Sequence, residues 1–177
     1  MKNTLLLLSL AGLLFTGCQQ NPAPLDLEAE KAAAQEMLDR FTEVMTTQDV
    51  DSMRAFIDED ALICGSDPAE FWDKETSLKL WDELSAGPEV DFLFMDDNPL
   101  MIGPDGNSAV AIQQFYIPAM MPELPARNIH YLTKTEGQWM ISMWSSSLIP
   151  KNEDLAKIIM AVAGEETEEL LPIPGVE

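Results

Sequence analysis

One histidine, two cysteines and eleven methionines stand against 31 carboxylates in this chain, and that inventory bounds its chemistry. His130 alone cannot build a multi-histidine metal site within one chain. No Gly-x-Ser-x-Gly elbow, phosphate loop or Cys/His pair with ligand spacing occurs. Thioethers suit Cu(I), but Met37, Met45, Met53, Met95 and Met140 fall among apolar positions and read as core filling. Only Met120 and Met121 read as exposed. Neither a metal nor a cofactor is expected. Cys64 closes the apolar run Ala61–Cys64, so a buried, inert thiol is expected there. Asp91 lies in the alternating stretch Val90–Met95, whose apolar members place it on the solvent side. A general base needs burial to bring its pKa near working pH, so Asp91 is a poor one.

The formal charge is −21. Such an acidic chain repels nucleic acid and anionic lipid, which argues against both as ligands. Among the few cations, Arg127 either meets an acidic ligand or pairs with one of the carboxylates. Trp72, Tyr116 and Tyr131 carry apolar bodies with polar tips, as a ligand pocket requires. The same residues would serve as plain core.

The elements that must position these groups follow in order. Asp26 can cap a helix with Glu28 and Glu30 in its first turn. Ala34, Met37, Leu38, Phe41, Val44 and Met45 recur at helical spacing, which predicts a helix over 27–46. Asp49 begins a short second helix with Val50, Met53, Phe56 and Ile57 on one side. Asp58-Glu59-Asp60 breaks it, and Ala61–Cys64 is a short strand. After a loop at 65–68, a third helix runs to Ser85 with Leu80, Trp81 and Leu84 as its buried stripe. Gly87-Pro88 stops it.

From there the apolar period changes from 3.6 to 2. Strands are predicted at 90–95, 100–102 and 109–117, with a Pro-rich loop at 118–126. Arg127–Pro150 then reads as a hairpin, 128–135 and 138–148, turning at Glu136-Gly137, where glycine supplies the positive φ. A last helix runs from Asn152 or Asp154 to Ala163. Helices first and an antiparallel meander after is an α+β pattern.

The first residues look like an export signal. Lys2 precedes the apolar run Leu5–Phe15, which is too short for a span of roughly 20 residues. Phe15-Thr16-Gly17-Cys18 resembles the lipobox of bacterial lipoproteins, although Leu is usual where Phe15 stands. The resemblance implies cleavage after residue 17, lipidation of Cys18 and attachment to a membrane through N-terminal acyl chains, with two or more chains giving stable anchoring. The alternative is a secreted protein with an incidental cysteine. Cleavage would remove Lys2 and take the formal charge from −21 to −22. With Cys18 lipidated, Cys64 has no intramolecular disulfide partner. Gln19 stands where an Asp would signal inner-membrane retention in enteric bacteria, so the outer membrane of a Gram-negative cell, on its periplasmic side, is the expected location. The expected division is a signal peptide at 1–17, a tether at 18–26, one domain at 27–150, and a C-terminal helix with an acidic tail at 151–177.

Residues 28–150 resemble the SnoaL-like group of the nuclear transport factor 2-like superfamily. The likeness rests on the order of elements and on three local stretches: Gln48–Met53 after the first helix, Gly65–Trp72 before the third, and Gly137–Ile141 opening the last strand. It implies a strongly curved antiparallel sheet wrapped as a cone around three N-terminal helices. The open end of such a cone often holds a small-molecule pocket, and the outer sheet face often forms a dimer. Relatives often carry, on the last strand, a Trp followed by an inward His six residues on and a Ser eight on. Here those places hold Trp139, Ser145 and Ser147, and an unassisted Ser is a weak base and nucleophile. Facing the cavity with Trp139 and Ser145 would be Arg127, Ile129, Tyr131 and Thr133. His130 would then lie on the outer face with Leu132, Met140 and Trp144, an apolar surface suited to a homodimer. Trp72, Tyr116, Arg127, Tyr131, Trp139 and Ser145 are therefore the expected pocket residues. The missing pocket His favours a non-catalytic module binding a small hydrophobic ligand or a protein. The alternatives are an isomerase- or cyclase-like enzyme acting on a small hydrophobic ketone, and an envelope protein that works through its outer sheet face.

Overall fold

The computed structural model describes residues 25–87, 90–96 and 98–163. The lipobox-like segment with Cys18 and the acidic tail lie outside the described residues. The first helix, α1 (Leu27–Thr46), is capped as its sequence predicts: the Asp26 carboxylate accepts the Ala29 N–H at 3.1 Å. It buries Ala34, Met37, Leu38, Phe41 and Met45 on one face. Asp49 likewise caps α2 (Val50–Met53) by accepting the Ser52 N–H. A 3-10 turn over Arg54–Phe56 leads into β1 (Ile57–Cys64).

Three expectations fail in this region. The run Asp58-Glu59-Asp60 lies within β1 instead of ending a helix, but it leaves the ladder between the pairs Ile57–Ile141 and Leu62–Met143. Two of its three charges have partners: Asp58 accepts the Thr135 hydroxyl at 2.6 Å, and Glu59 meets Lys74 at 3.0 Å. That hydroxyl bond, first among several causes, holds the Asp58 carboxyl below its ordinary range. A two-residue strand, β2 (Phe71–Trp72), pairs with β1 before α3 (Lys74–Ser85). The buried edge of α3 is Lys74, Ser77 and Leu78; Trp81 and Leu84 are half-buried and Leu80 is exposed.

The remaining strands are β3 (Leu93–Phe94), β4 (Leu100–Ile102), β5 (Ser108–Ile117), β6 (Met121–Thr135) and β7 (Gln138–Leu148). Asp91 is exposed, as its neighbours imply. The Pro-rich stretch expected as a loop is largely the start of β6. The hairpin turns at Glu136 (φ 53) and Gly137 (φ 81). The sheet order is β2-β1-β7-β6-β5-β3, with β4 also on β5. It is mixed, not wholly antiparallel, because β1 runs parallel to β7. A 3-10 turn at Asn152–Asp154 and α4 (Leu155–Ala163) follow.

One irregularity decides which side chains face the helices. Tyr131 pairs with Met143, but Leu132 pairs with Ile141, so Ser142 is an extra residue on β7. A β-bulge of this kind shifts the side-chain alternation by one. The Ser142 and Thr133 hydroxyls bond at 2.5 Å across it. Before the bulge Trp139 and Ile141 face the helices; after it Trp144 and Ser146 do. On the same inner face lie Asn128, His130 and Leu132 of β6 and Ala109, Ala111, Gln113 and Phe115 of β5.

Candidate functional site

The inner face beyond the bulge is built from aromatic rings. Phe41 of α1 meets the His130 ring at 5.7 Å and the Trp144 ring at 5.5 Å, both edge-on. Trp144 stacks on Trp81 of α3 at 5.7 Å, and the series continues through Phe92 to Phe115. Offset and edge-on pairs at these distances are favourable arrangements of the ring quadrupoles. Of these rings Trp144, Trp81, Phe92 and Phe115 wall an apolar cavity of about 210 Å³, with Met45 and Val90 beside them and Asn128, Ser66, Ser146 and Ser147 as its polar features. Ile117, Met120, Met121 and Leu148 also line it. No ionisable side chain among the described residues does.

Two donors are left over here. Ser146 donates to Asn128 Oδ1 at 2.8 Å, while Asn128 Nδ2 and Trp144 Nε1 are buried without a partner. A buried donor left unpaired costs about 1–3 kcal/mol, so this pair calls for an acceptor. A second cavity of about 240 Å³ shares Ser66, Trp81, Leu84, Trp144 and Ser146 and adds Trp72, Ser77 and Glu70. Glu70 Oε2 accepts the Asp67 N–H at 2.9 Å. Gly65 lies close beside it: a Cβ there would fall 2.0 Å from Glu70 Oε2 and 2.8 Å from the Trp72 ring, so a larger residue would displace these side chains.

Behind the aromatic wall the polar groups are paired in a chain. Thr42 donates its hydroxyl to Leu38 O at 2.8 Å, and Gln113 Nε2 donates to Thr42 Oγ1 at 2.7 Å. Gln113 therefore turns its oxygen to His130, whose Nε2 lies 3.0 Å away and must carry the proton. Nδ1 is left as an unpartnered lone pair. Burial pushes the imidazole pKa down from 6.5 to about 3, so His130 is neutral at ordinary pH. Thr42 and Gln113 also line a separate cavity of about 340 Å³ between α1 and the 94–100 segment, rimmed by Asp39 and Asp96.

Several sequence expectations are corrected by this geometry. Of the six expected pocket residues, only Trp72 lines one of these cavities. Trp139 faces inward but sits toward the hairpin turn, with the Lys134 ammonium 5.5 Å above its ring. Tyr131, Ser145, Arg127 and Tyr116 lie on the outer face. Tyr131 is 40% exposed there, and Arg127 donates to Gln114 Oε1 at 3.3 Å. His130, Leu132 and Trp144, expected outside, are the buried ones. Cys64 pairs with Ser145 and is half-buried, not buried.

The bulge explains most of these reversals. Its signal is in the sequence: Trp139, Ile141 and Trp144 are all large and apolar, but no single strand parity buries all three.

Among the described residues no group of three His, Cys, Asp or Glu could hold a metal ion, and no helix is long and apolar enough to cross a membrane. Among solved structures, the chain is similar to an NTF2-like protein of unknown function from Pseudomonas putida (TM-score 0.60, 14% identity, covering 71% of this chain and 91% of that one). It is also similar to an NTF2-like protein of unknown function from Shewanella baltica (TM-score 0.55, 19% identity, covering 72% and 99%). A ketosteroid isomerase-like protein from Erwinia carotovora atroseptica matches with a TM-score of 0.51 at 13% identity, covering 69% and 98%. At these identities the likeness shows the nuclear transport factor 2-like fold alone. No curated protein matches the chain. The model of the SnoaL-like domain matches residues 34–151, well over half of the sequence, and the chain belongs to the SnoaL-like domain family.

Proposed function

We propose that this protein is a lipid-anchored binding module whose inner-face cavity takes a small, neutral, apolar molecule bearing one hydrogen-bond acceptor, such as a ketone. The observation that carries this reading is the pair of unpartnered donors, Asn128 Nδ2 and Trp144 Nε1, on an aromatic cavity that no ionisable side chain among the described residues lines. An acceptor on the ligand would satisfy donors that otherwise stay unpaired, and a site of this kind discriminates against analogues lacking the acceptor. The test is a titration with prodan, a neutral fluorescent naphthyl ketone, against naphthalene. Prodan should bind and shift to the blue. Asn128→Leu should weaken prodan at least about tenfold and leave naphthalene nearly unchanged. Equal loss for both probes, or no binding of prodan, refutes the reading.

A catalytic reading has one observation in its favour. Glu70 lines the adjoining cavity, and an isomerase- or cyclase-like reaction on a ketone needs such a base. His130, with its pKa near 3, would be a feeble one. We expect no acceleration of α-proton exchange when cyclohexanone is incubated with the protein in heavy water. Acceleration that disappears in Glu70→Gln would replace the binding reading by the enzymatic one.

Anchoring rests on the lipobox-like Phe15–Cys18 and the polar tether behind it, and places the domain on the periplasmic side of an outer membrane. Cys18→Ser should move the protein from the membrane to the soluble fraction; unchanged fractionation refutes the anchor. We also assign a homodimer to the outer sheet face. Leu62, Met143, Tyr131, Val110 and Met101 are successive register partners across β1, β7, β6, β5 and β4. They form one apolar row, of which Leu62, Tyr131 and Met101 are 40–56% exposed.

A further inference from the structure

Helix α4 is too short and too apolar to stand alone. Its sequence, Leu155–Ala163, carries one charge, Lys157. Leu155, Ile158, Ile159 and Val162 fall at the i, i+3, i+4, i+7 spacing of a docking stripe, with Lys157 on the opposite side. Only half of that stripe is docked. Leu155 and Ile159 are half-buried, whereas Ile158 is 37% and Val162 84% exposed. A nine-residue helix is below the roughly 12–15 residues at which isolated helices become even marginal in water. Its stability must come from a surface that receives the stripe.

An apolar surface lies within its reach. The cavity walled by Trp81 and Trp144 opens between Ile117, Met120, Met121 and Leu148. At this mouth Met120 is 60% and Leu148 41% exposed. Leu148 ends β7, and α4 begins seven residues later. The connection starts from a fixed point, since the Ile149 N–H donates to Pro125 O at 2.9 Å. Six intervening residues, 149–154, can span at most about 20 Å, so α4 cannot leave the neighbourhood of the mouth. Lys157, on the opposite side of the helix, donates to Asp154 at 2.7 Å, and that bond raises its pKa, with smaller contributions from Glu153 and Glu123.

We propose that α4 is the lid of the cavity: by turning about the 149–154 connection it lays Ile158 and Val162 over Met120 and Leu148 and closes the mouth on a bound apolar molecule. This rests on the binding reading above. Closure buries apolar surface on both partners, and the ligand extends the surface the stripe covers, so occupancy and closure favour each other. Lys157 stays outward, within reach of Glu123.

The test uses the full chain with Cys18→Ser and Cys64→Ser removing the natural thiols. Met120→Cys and Val162→Cys are then added, and oxidation is followed by non-reducing electrophoresis and mass. An intramolecular disulfide should form, faster with prodan present. The pair Met120→Cys with Lys157→Cys should form it at least about tenfold more slowly, because Lys157 points away. Disulfides only between two chains would assign the helix to another copy's cavity and overturn the lid, as would equal rates for both pairs or no disulfide at all. Prodan escape from the trapped form should slow at least about tenfold. A trapped disulfide in a protein that never binds prodan leaves the lid standing and removes the binding reading; binding without closure does the reverse.

Discussion

The two faces of β6 differ by a single residue step, yet they invert the usual division of polar and apolar groups. Toward the helices point Asn128, His130 and Leu132, joined by Gln113 from β5, and all four are buried. Toward the outside point Arg127, Ile129 and Tyr131, beside the apolar row that runs from Leu62 to Met101. An antiparallel sheet with one wet face normally shows the reverse alternation. Buried polar groups are costly unless satisfied, and here the satisfied ones, Gln113, Thr42 and His130 Nε2, form one chain behind the aromatic wall. Among the unsatisfied ones, Asn128 Nδ2 and Trp144 Nε1 are on cavity-lining residues, whereas His130 Nδ1, Trp139 Nε1 and, on the outer face, Arg127 Nε are not. The cavity is therefore marked by two unpaired donors that neighbour one another on its wall, and the outer face by a row of apolar side chains, three of them 40–56% exposed.

The largest test of this comparison uses neighbours on one strand. Leu132 is fully buried and Tyr131 is 40% exposed. Leu132→Ala should cost about 2–5 kcal/mol in urea denaturation, and Tyr131→Ala within about 1 kcal/mol. Equal costs would mean that the register around Ser142 is not the one described.

The next test is the neutral histidine inside. The unfolded chain binds a proton at His130 below about pH 6.5, whereas the folded chain resists until about pH 3. This contribution to stability is complete above pH 6.5 and is lost as pH falls from there toward 3. Between pH 7 and pH 5 the loss should be about 2 kcal/mol, since the folded form takes up almost no proton there. Asp58, whose carboxyl is held below its ordinary range, acts at lower pH, so the histidine window is separable. His130→Gln keeps a donor for Gln113 and should flatten the profile over that window. A wild-type profile already flat from pH 7 to 5 would show that His130 is not held neutral.

Much of this architecture was legible from residue types. Asp26 and Asp49 read as caps because carboxylates accept the orphan N–H groups of a helix start, and Glu136-Gly137 marked the hairpin with its strand ends. What was not legible was long-range. The parallel pairing of β1 with β7 joins residues some eighty positions apart, and no local pattern announces it. The Ser142 bulge follows from tertiary demand: Trp144 is needed against Phe41 and Trp81, so β7 spends one residue to turn it inward. Reading one parity through the strand carried Ser145 inside and Trp144 outside, and with them Arg127 and Tyr131 of the facing strand. Asn128 and Gln113 had no sequence signal, since a polar residue on a half-buried strand ordinarily faces water.

The smallest effect on stability, and the sharpest on the outer face, belongs to Met143. It lies between Leu62 and Tyr131 in the apolar row, on the opposite side of the sheet from the cavity. In a monomer Met143→Lys exposes its charge to water and should change the unfolding free energy by no more than about 0.5 kcal/mol. In a dimer closed by two-fold symmetry the row meets its own copy, so each substitution enters the interface twice, and a buried unpaired ammonium is expensive. Sedimentation should show a dimer for the wild type at micromolar concentration and at least a tenfold weaker one, about 1.4 kcal/mol, for Met143→Lys. Prodan binding should be the same in both, because the cavity and the row share no side chain. A wild type that sediments as a monomer would leave the outer face without the partner assigned to it, and a loss of prodan binding in Met143→Lys would show that the two faces are not independent.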